Sequence, residues 1–170
     1  MEKPEVYLMR ELHKFASMTE LLKQKGIHFE NRIIEQRVIE ANYFISRQLG
    51  IPLATPVFHL KRLRIVEGKP KSLENNYICM DNAKELENIN FENKSFREMI
   101  EKCTNRKAVK SSESISIVEA NEEERKWLQL PDKEEIVLIR GTTYTEDGKT
   151  LEYFELANIP SFYRFRSVGK

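Results

Sequence analysis

Stretches rich in branched apolar residues alternate with short segments bounded by helix caps, and this rhythm occurs twice along the chain. Ser17-Met18-Thr19-Glu20 and Ser95-Phe96-Arg97-Glu98 each open a predicted helix with Ser-x-x-Glu. In such a capping box the serine hydroxyl accepts from the N–H three residues on, and the glutamate reaches back to the serine N–H. The first of these helices is expected to close at Gly26, a residue suited to the left-handed position past a helix end. A strand rich in Ile and Val follows over 32–39. A short helix over 41–49 then stops at Gly50-Ile51-Pro52, which cannot continue it. Its counterpart over 121–128 begins with Asn121 and three glutamates, a cap plus charges that suit the positive end of the helix dipole. Each half ends in a predicted hairpin. One runs 57–66 and 72–78 around Glu67-Gly68-Lys69. The other runs 136–145 and 151–159 around Asp147-Gly148, expected to be a tight primed turn with positive φ.

The two halves are collinear copies. Ile39-Glu40-Ala41-Asn42 matches Val118-Glu119-Ala120-Asn121, and Leu49-Gly50-Ile51-Pro52 matches Leu128-Gln129-Leu130-Pro131. Glu67-Gly68-Lys69 with Leu73-Glu74 matches Asp147-Gly148-Lys149 with Leu151-Glu152. The offset stays at about 80 residues throughout, a signature of internal duplication. Each copy reads helix, strand, helix, strand, strand. Together they predict one α+β domain with a mainly antiparallel sheet and helices packed on one side, the pseudo-repeats spanning about 17–80 and 95–160. The polar segment 81–93 is expected to join the halves, and a cleft between them is a common place for a ligand.

Alternation assigns faces. Phe58, Leu60, Arg62, Arg64 and Val66 share one face of the first hairpin, and Val57, His59, Lys61, Leu63 and Ile65 the other. Two adjacent guanidinium groups repel unless an anion or an acid lies between them. The pair therefore reads either as an oxyanion site or as a sheet edge where the arginines meet solvent or Glu74. Glu152, Phe154, Leu156 and Asn158 likewise share a face. Glu152 reads as an acceptor for sugar hydroxyls, as a partner of an arginine, or as the polar end of a half-buried strand. The hydroxyls at the helix starts, Thr19 and Ser95, either cap or help hold an anion. Neither arginine is expected to anchor the core, so replacing one by alanine is expected to weaken ligand binding with little loss of stability.

Composition narrows the class. The 170 residues are 40% hydrophobic and 32% charged, with 28 basic against 27 acidic residues for a net charge of +1. That balance suits a globular domain and argues against a dedicated duplex-DNA binder. No apolar run approaches the roughly 18 residues needed to cross a bilayer, and the N-terminus lacks the apolar stretch of a signal peptide. A cytoplasmic location without membrane contact is expected. Cys79 and Cys103 form no metal motif, and His13, His28 and His59 lack ligand spacing, so neither a metal nor a cofactor is expected. Nucleophile elbows, P-loops and dinucleotide fingerprints are missing. Glu74 and Glu152, equivalent in the duplication, are the sole candidates for acid–base work.

The order Ser-x-Thr-Glu, Gly26, Glu40-Ala41, Leu49-Gly50-Ile51-Pro52, Leu60-Lys61-Arg62-Leu63-Arg64, Glu67-Gly68-Lys69-Pro70, Leu73-Glu74, Ser95-Phe96 and Arg164-Phe165 resembles the UTRA domain, the effector-binding half of HutC-type regulators in the GntR superfamily. The resemblance implies a chorismate-lyase-like fold and a ligand-sensing domain, at 13–168, that binds a small anionic metabolite such as a phosphosugar and alters operator binding of a full-length homodimer. It implies that Arg62, Arg64, Thr19 and Ser95 hold the anionic end and that Glu152 holds sugar hydroxyls. Three positions depart from the family pattern: Met18 replaces an aromatic, Arg97 replaces a tyrosine, and Asn158 replaces an aromatic of the last strand. Arg97 adds a third cation, favouring a more strongly charged effector. Residues 1–12 are expected to be a connector from a DNA-binding winged helix that this chain lacks, the chain being a fragment or short form, with DNA contacted through that module alone. An enzyme of the same fold acting on a small anionic substrate is the rival reading.

Overall fold

The computed structural model describes residues 5–82 and 84–170. Strand β1 (Leu8–Glu11) is followed by helix α1 (Met18–Gln24), strand β2 (Phe29–Glu40), helix α2 (Tyr43–Leu49), and the hairpin β3 (Pro56–Val66) and β4 (Lys69–Cys79). The second half runs through helix α3 (Phe96–Thr104), strand β5 (Lys110–Glu119), helix α4 (Glu122–Leu128), the hairpin β6 (Glu135–Tyr144) and β7 (Thr150–Asn158), and strand β8 (Tyr163–Arg166). The six main strands form one antiparallel sheet in the order β2-β3-β4-β7-β6-β5. This order is symmetric about the β4–β7 pair, so the duplication seen in the sequence is the symmetry of the sheet. Among the described residues no helix is long and apolar enough to cross a membrane.

Local chemistry explains the helix ends. Ser17 and Glu20 make both bonds of the capping box at α1, Asn42 caps α2, Ser95 caps α3, and Asn121 with Glu124 caps α4. Gly50 ends α2 in the left-handed region at φ 64°, while its counterpart Gln129 takes φ 56° with a full side chain. The two hairpins differ. Glu67 (φ 51°) and Gly68 (φ 77°) make a two-residue primed turn. In the second hairpin only Gly148 is left-handed, at φ 81°. Thr145 to Gly148 closes through the Gly148 N–H to the Thr145 carbonyl, and the Asp147 carboxylate bonds the Thr145 hydroxyl and the Lys149 N–H. The expected primed Asp-Gly turn is thus replaced by a longer loop in which the aspartate side chain binds the local backbone.

Helices cover both faces, not one. α1 and α3 pack on the face that carries Arg62 and Arg64, through Leu22 against Val66 and Phe162, and through Phe96 and Ile100 against Phe58 and Leu60. α2 and α4 pack on the opposite face, through Ile45 and Leu49 against Val57 and Tyr153, and through Leu128 against Leu63, Leu73 and Leu138. Each hairpin is central enough to bury both faces: β3 is buried at nearly every position from Val57 to Val66 although it carries His59, Lys61, Arg62 and Arg64. The segment expected to be a polar join contributes to the core instead: Leu86 and Phe91 are fully buried in the cluster under α3.

Residues 1–4 of the expected connector lie outside the described residues. Residues 8–11 form β1, which pairs in parallel with β8 as a two-stranded ribbon and buries Leu8 against α1.

Gly141, in the middle of β6, is dictated by space and not by backbone angle. A Cβ there would lie 2.7 Å from the Phe154 ring, 2.8 Å from the Ser112 carbonyl and 2.9 Å from the Glu113 side chain. Gly141→Ala is expected to destabilise by about 1–3 kcal/mol, because the carbonyl cannot move without breaking the β5–β6 ladder. Urea denaturation checks this.

Candidate functional site

Arg62 and Arg64 project from β3 beneath the starts of α1 and α3, where a cavity of about 70 Å³ lies. Its lining includes Met18, Thr19, Arg62, Arg64, Ser95, Arg97 and Glu152, seven of the eight positions singled out from the sequence. Asn158 is the exception. It is fully buried below the cavity, its Oδ1 accepting from the Ser72 hydroxyl and its Nδ2 donating to the Val137 and Leu156 carbonyls.

The two guanidiniums are reconciled by an acid. Glu74 stands across the hairpin from Arg62, and its carboxylate accepts two bonds from Arg62 Nη2 at 3.0 and 3.1 Å and one from Arg64 Nη2 at 3.1 Å. Burial pushes the Glu74 carboxyl up, but the two cations outweigh this and hold it below the usual carboxylate range. Arg62 also donates to the carbonyls of Phe91 and Lys94, at 3.2 and 2.5 Å, so it ties the segment after the first half into the core. With Arg62 1% and Arg64 3% exposed, the expectation that these positions are not core anchors is corrected. Arginine reads as polar in a hydrophobic pattern, and that hid its burial.

Arg64 is less completely used. Its Nε donates to Asn31 Oδ1 at 2.9 Å and its Nη2 makes a long bond of 3.5 Å to the Thr19 hydroxyl, while Nη1 is buried with no acceptor. Burial lowers its pKa, opposed by Glu74. Ser95 Oγ accepts from the Glu98 N–H at 3.3 Å as the cap of α3, which leaves its hydroxyl proton free to donate. Arg97 has no ion-pair partner among the described residues. Its guanidinium lies 3.7 Å from the centre of the Phe15 ring, and its Nε is buried without an acceptor.

Glu152 and Glu74 have opposite fates. Burial raises the Glu152 carboxyl to about 7, against the pull of a 2.6 Å bond from Asn76 Nδ2 and the charge of Arg97. Of the charged and amide side chains in the lining, Asn76, Arg10 and Glu113 were not found from the sequence. Asn76 stands two positions from Glu74 on the same face, so strand alternation could have found it. Arg10, on β1, donates through Nη2 to both Glu113 oxygens at 2.5 and 2.6 Å and closes one wall. No pattern signals that pair, which lies 103 residues apart in the chain. Among the described residues no group of three or more His, Cys, Asp or Glu side chains is placed to hold a metal ion.

The family model of the UTRA domain matches residues 24–163. The chain belongs to the UTRA domain family. UTRA domains are the ligand-sensing part of GntR-family transcription regulators, and the relatives here are regulators, not enzymes. The HTH-type transcriptional repressor NagR of Bacillus subtilis is 24% identical over 142 residues, covering 84% of this chain and 58% of that protein. The mannosyl-D-glycerate transport/metabolism system repressor MngR of Escherichia coli is 24% identical over 160 residues, covering 94% of this chain and 66% of that one. The UTRA chain thus spans little more than half the length of NagR. The effector domain of PhnF from Mycobacterium smegmatis superposes with a TM-score of 0.87 at 16% identity, over 96% of this chain and 99% of that one. At that identity the likeness speaks to the fold, and it agrees with the chorismate-lyase-like α+β architecture described above.

Proposed function

We propose that this UTRA domain senses a small phosphorylated sugar or a related anionic metabolite, held under the starts of α1 and α3, and that occupancy alters operator binding by a cytoplasmic homodimeric regulator whose DNA contacts lie in a separate winged-helix module. The observation that carries this reading is the charge inventory of the cavity. Four guanidiniums line it (Arg10, Arg62, Arg64, Arg97) against three carboxyls, of which Glu74 and Glu113 are spent on arginines and Glu152 is half neutral near pH 7. One to two positive charges are left over, and buried N–H donors on Arg64 and Arg97 lack acceptors. A phosphate monoester supplies both the charge and the acceptor oxygens. The chain's near-zero net charge supports assigning DNA binding elsewhere, and the edge strands β2 and β5, each paired on one side within the sheet, support association of two copies. Coupling requires that effector bind the two states of the dimer unequally.

Thermal-shift and calorimetric titration with inorganic phosphate and a panel of hexose 6-phosphates tests the reading. At a hundred times Kd, a bound ester is expected to stabilise the domain by about 2.7 kcal/mol. Arg97→Gln removes a cation that no carboxylate among the described residues pairs with, so it is expected to weaken ester binding about tenfold or more while stability changes by less than about 1 kcal/mol. Absence of any shift across the panel would sink the proposal.

A further inference from the structure

Asn76 carries a feature that the anion site does not explain. The side chain is 4% exposed and lines the cavity from β4. Its Nδ2 donates to Glu152 Oε1 at 2.6 Å and also faces the Glu74 carboxylate. The Glu74 carboxylate, kept ionised by Arg62 and Arg64, settles which way the amide points, since only the amide nitrogen can donate to it. Oδ1 is therefore turned away from both acids, and it is buried with no donor. A buried acceptor left without a partner costs about 1–3 kcal/mol. Nothing in the fold forces this: the position is a regular strand residue opposite Leu60 on one side and Phe154 on the other.

The cavity thus has two kinds of unused group. Arg64 Nη1 and Arg97 Nε are donors that call for an acceptor, which an anion supplies. Asn76 Oδ1 is an acceptor that calls for a donor, which an anion cannot supply. The Arg64 guanidinium reaches the level of Glu74, and Asn76 lies two residues further along the same strand, about 7 Å away. That spacing matches a phosphate ester and a hydroxyl or amide N–H a few carbons along the same small molecule.

We propose that Asn76 is a direct specificity contact of this UTRA site, its Oδ1 accepting a hydrogen bond from a hydroxyl or amide N–H in the body of the effector. This rests on the anion-binding reading above and adds to it a second requirement, that the ligand carry a donor at fixed distance from its anionic group. Asn76 also orients the Glu152 carboxyl, so one amide serves the two acceptors that face the polyhydroxylated part of the ligand. A sugar phosphate meets both requirements, and a bare or apolar phosphate ester meets only the first.

The test uses the 170-residue chain, with inorganic phosphate, hexose 6-phosphates and their monodeoxy-monofluoro analogues as probes. Fluorine keeps the size of the hydroxyl and removes its proton. In the wild type one fluorinated position is expected to lose about ten- to a hundredfold in affinity. In Asn76→Leu the parent ester is expected to weaken by a similar factor, the penalty at that fluorinated position to vanish, and inorganic phosphate to bind within about twofold of wild type. The analogue series in the wild type is informative even if the leucine variant folds poorly. If every fluorinated analogue binds as the parent ester does, or if Asn76→Leu weakens phosphate and ester alike, the assignment is overturned while the anion site stands. A wild type that binds neither phosphate nor any ester overturns both.

Discussion

Glu74→Ala is expected to lower the stability of the domain by about 3–5 kcal/mol, the largest effect of any single substitution at the site. The variant leaves Arg62 and Arg64 side by side, both almost completely buried, with no acid between them. The cost comes from uncompensated charge and not from lost packing, since the carboxylate itself contributes little apolar contact. For a chain of this length such a loss lowers Tm by roughly 6–20 °C. Replacing all three members with apolar residues of similar volume, as Arg62→Met, Arg64→Met and Glu74→Leu together, is expected to restore most of that stability, because the desolvation of three charges is removed with their attraction. The carbonyls of Phe91 and Lys94, which Arg62 satisfies, set the limit of that recovery. The triple variant is expected to lose phosphate binding altogether. Urea denaturation paired with calorimetry separates the two roles. If Glu74→Ala is no less stable than wild type, the triad does not bear on folding. If the triple variant still binds phosphate, the anion is held elsewhere.

The triad also shows what strand alternation conveys and what it hides. The alternation of β3 puts Arg62 and Arg64 on one face and Leu63 and Ile65 on the other, and the structure has them so. Alternation carries no information on how deeply each face is covered. Burial of the arginine face follows from Phe96 at the start of α3 and from Leu86 and Phe91, which reach it from a segment that reads as a polar join because its apolar residues are widely spaced among acids and asparagines. The helix starts were legible because caps are local chemistry, although of the two Ser-x-x-Glu boxes Ser17 with Glu20 makes both bonds while at α3 Ser95 caps and the Glu98 carboxylate does not reach back. The duplication of the sheet was legible in the collinear repeats, whereas the pairing of β4 with β7 that joins the halves leaves no such mark in the sequence. The β1–β8 ribbon was not legible, since four residues paired with four near the other end of the chain leave no period to detect. The same blindness covers Arg10 with Glu113. Asn158 went the other way. Its place on the site face was readable, but its amide is consumed by Ser72 and backbone carbonyls below the cavity floor, a matter of depth that one strand's pattern does not report.

Depth likewise decides how Glu152 behaves with pH. Its carboxyl is raised from 4.5 to about 7 in the folded domain, chiefly by burial. The folded state therefore holds a proton that the unfolded chain releases, throughout the window between those two values. Stability consequently falls as pH rises from about 4.5 to 7, and the full cost, about 3 kcal/mol, is present above that window. Glu74 works in the opposite sense: its lowered pKa stabilises the fold at neutral pH and that contribution is lost in acid, below the window in which Glu152 titrates. Glu152→Gln removes the first effect and leaves the second. The glutamine keeps an oxygen for Asn76 Nδ2 and offers an N–H toward the Thr143 hydroxyl, so the hydrogen bonds of the site are retained. The variant is expected to match wild type near pH 4.5 and to exceed it by up to about 3 kcal/mol at pH 8, read from urea midpoints at a common slope. It is expected to bind inorganic phosphate at least as tightly as wild type does, because a negative charge leaves the cavity, and hexose 6-phosphates more weakly, because an ionised carboxylate accepts more strongly from hydroxyls than an amide oxygen. A stability difference that stays flat from pH 4.5 to 8 would mean that Glu152 is ionised across the range, and the half-neutral carboxyl would drop out of the charge inventory that supports the anion site.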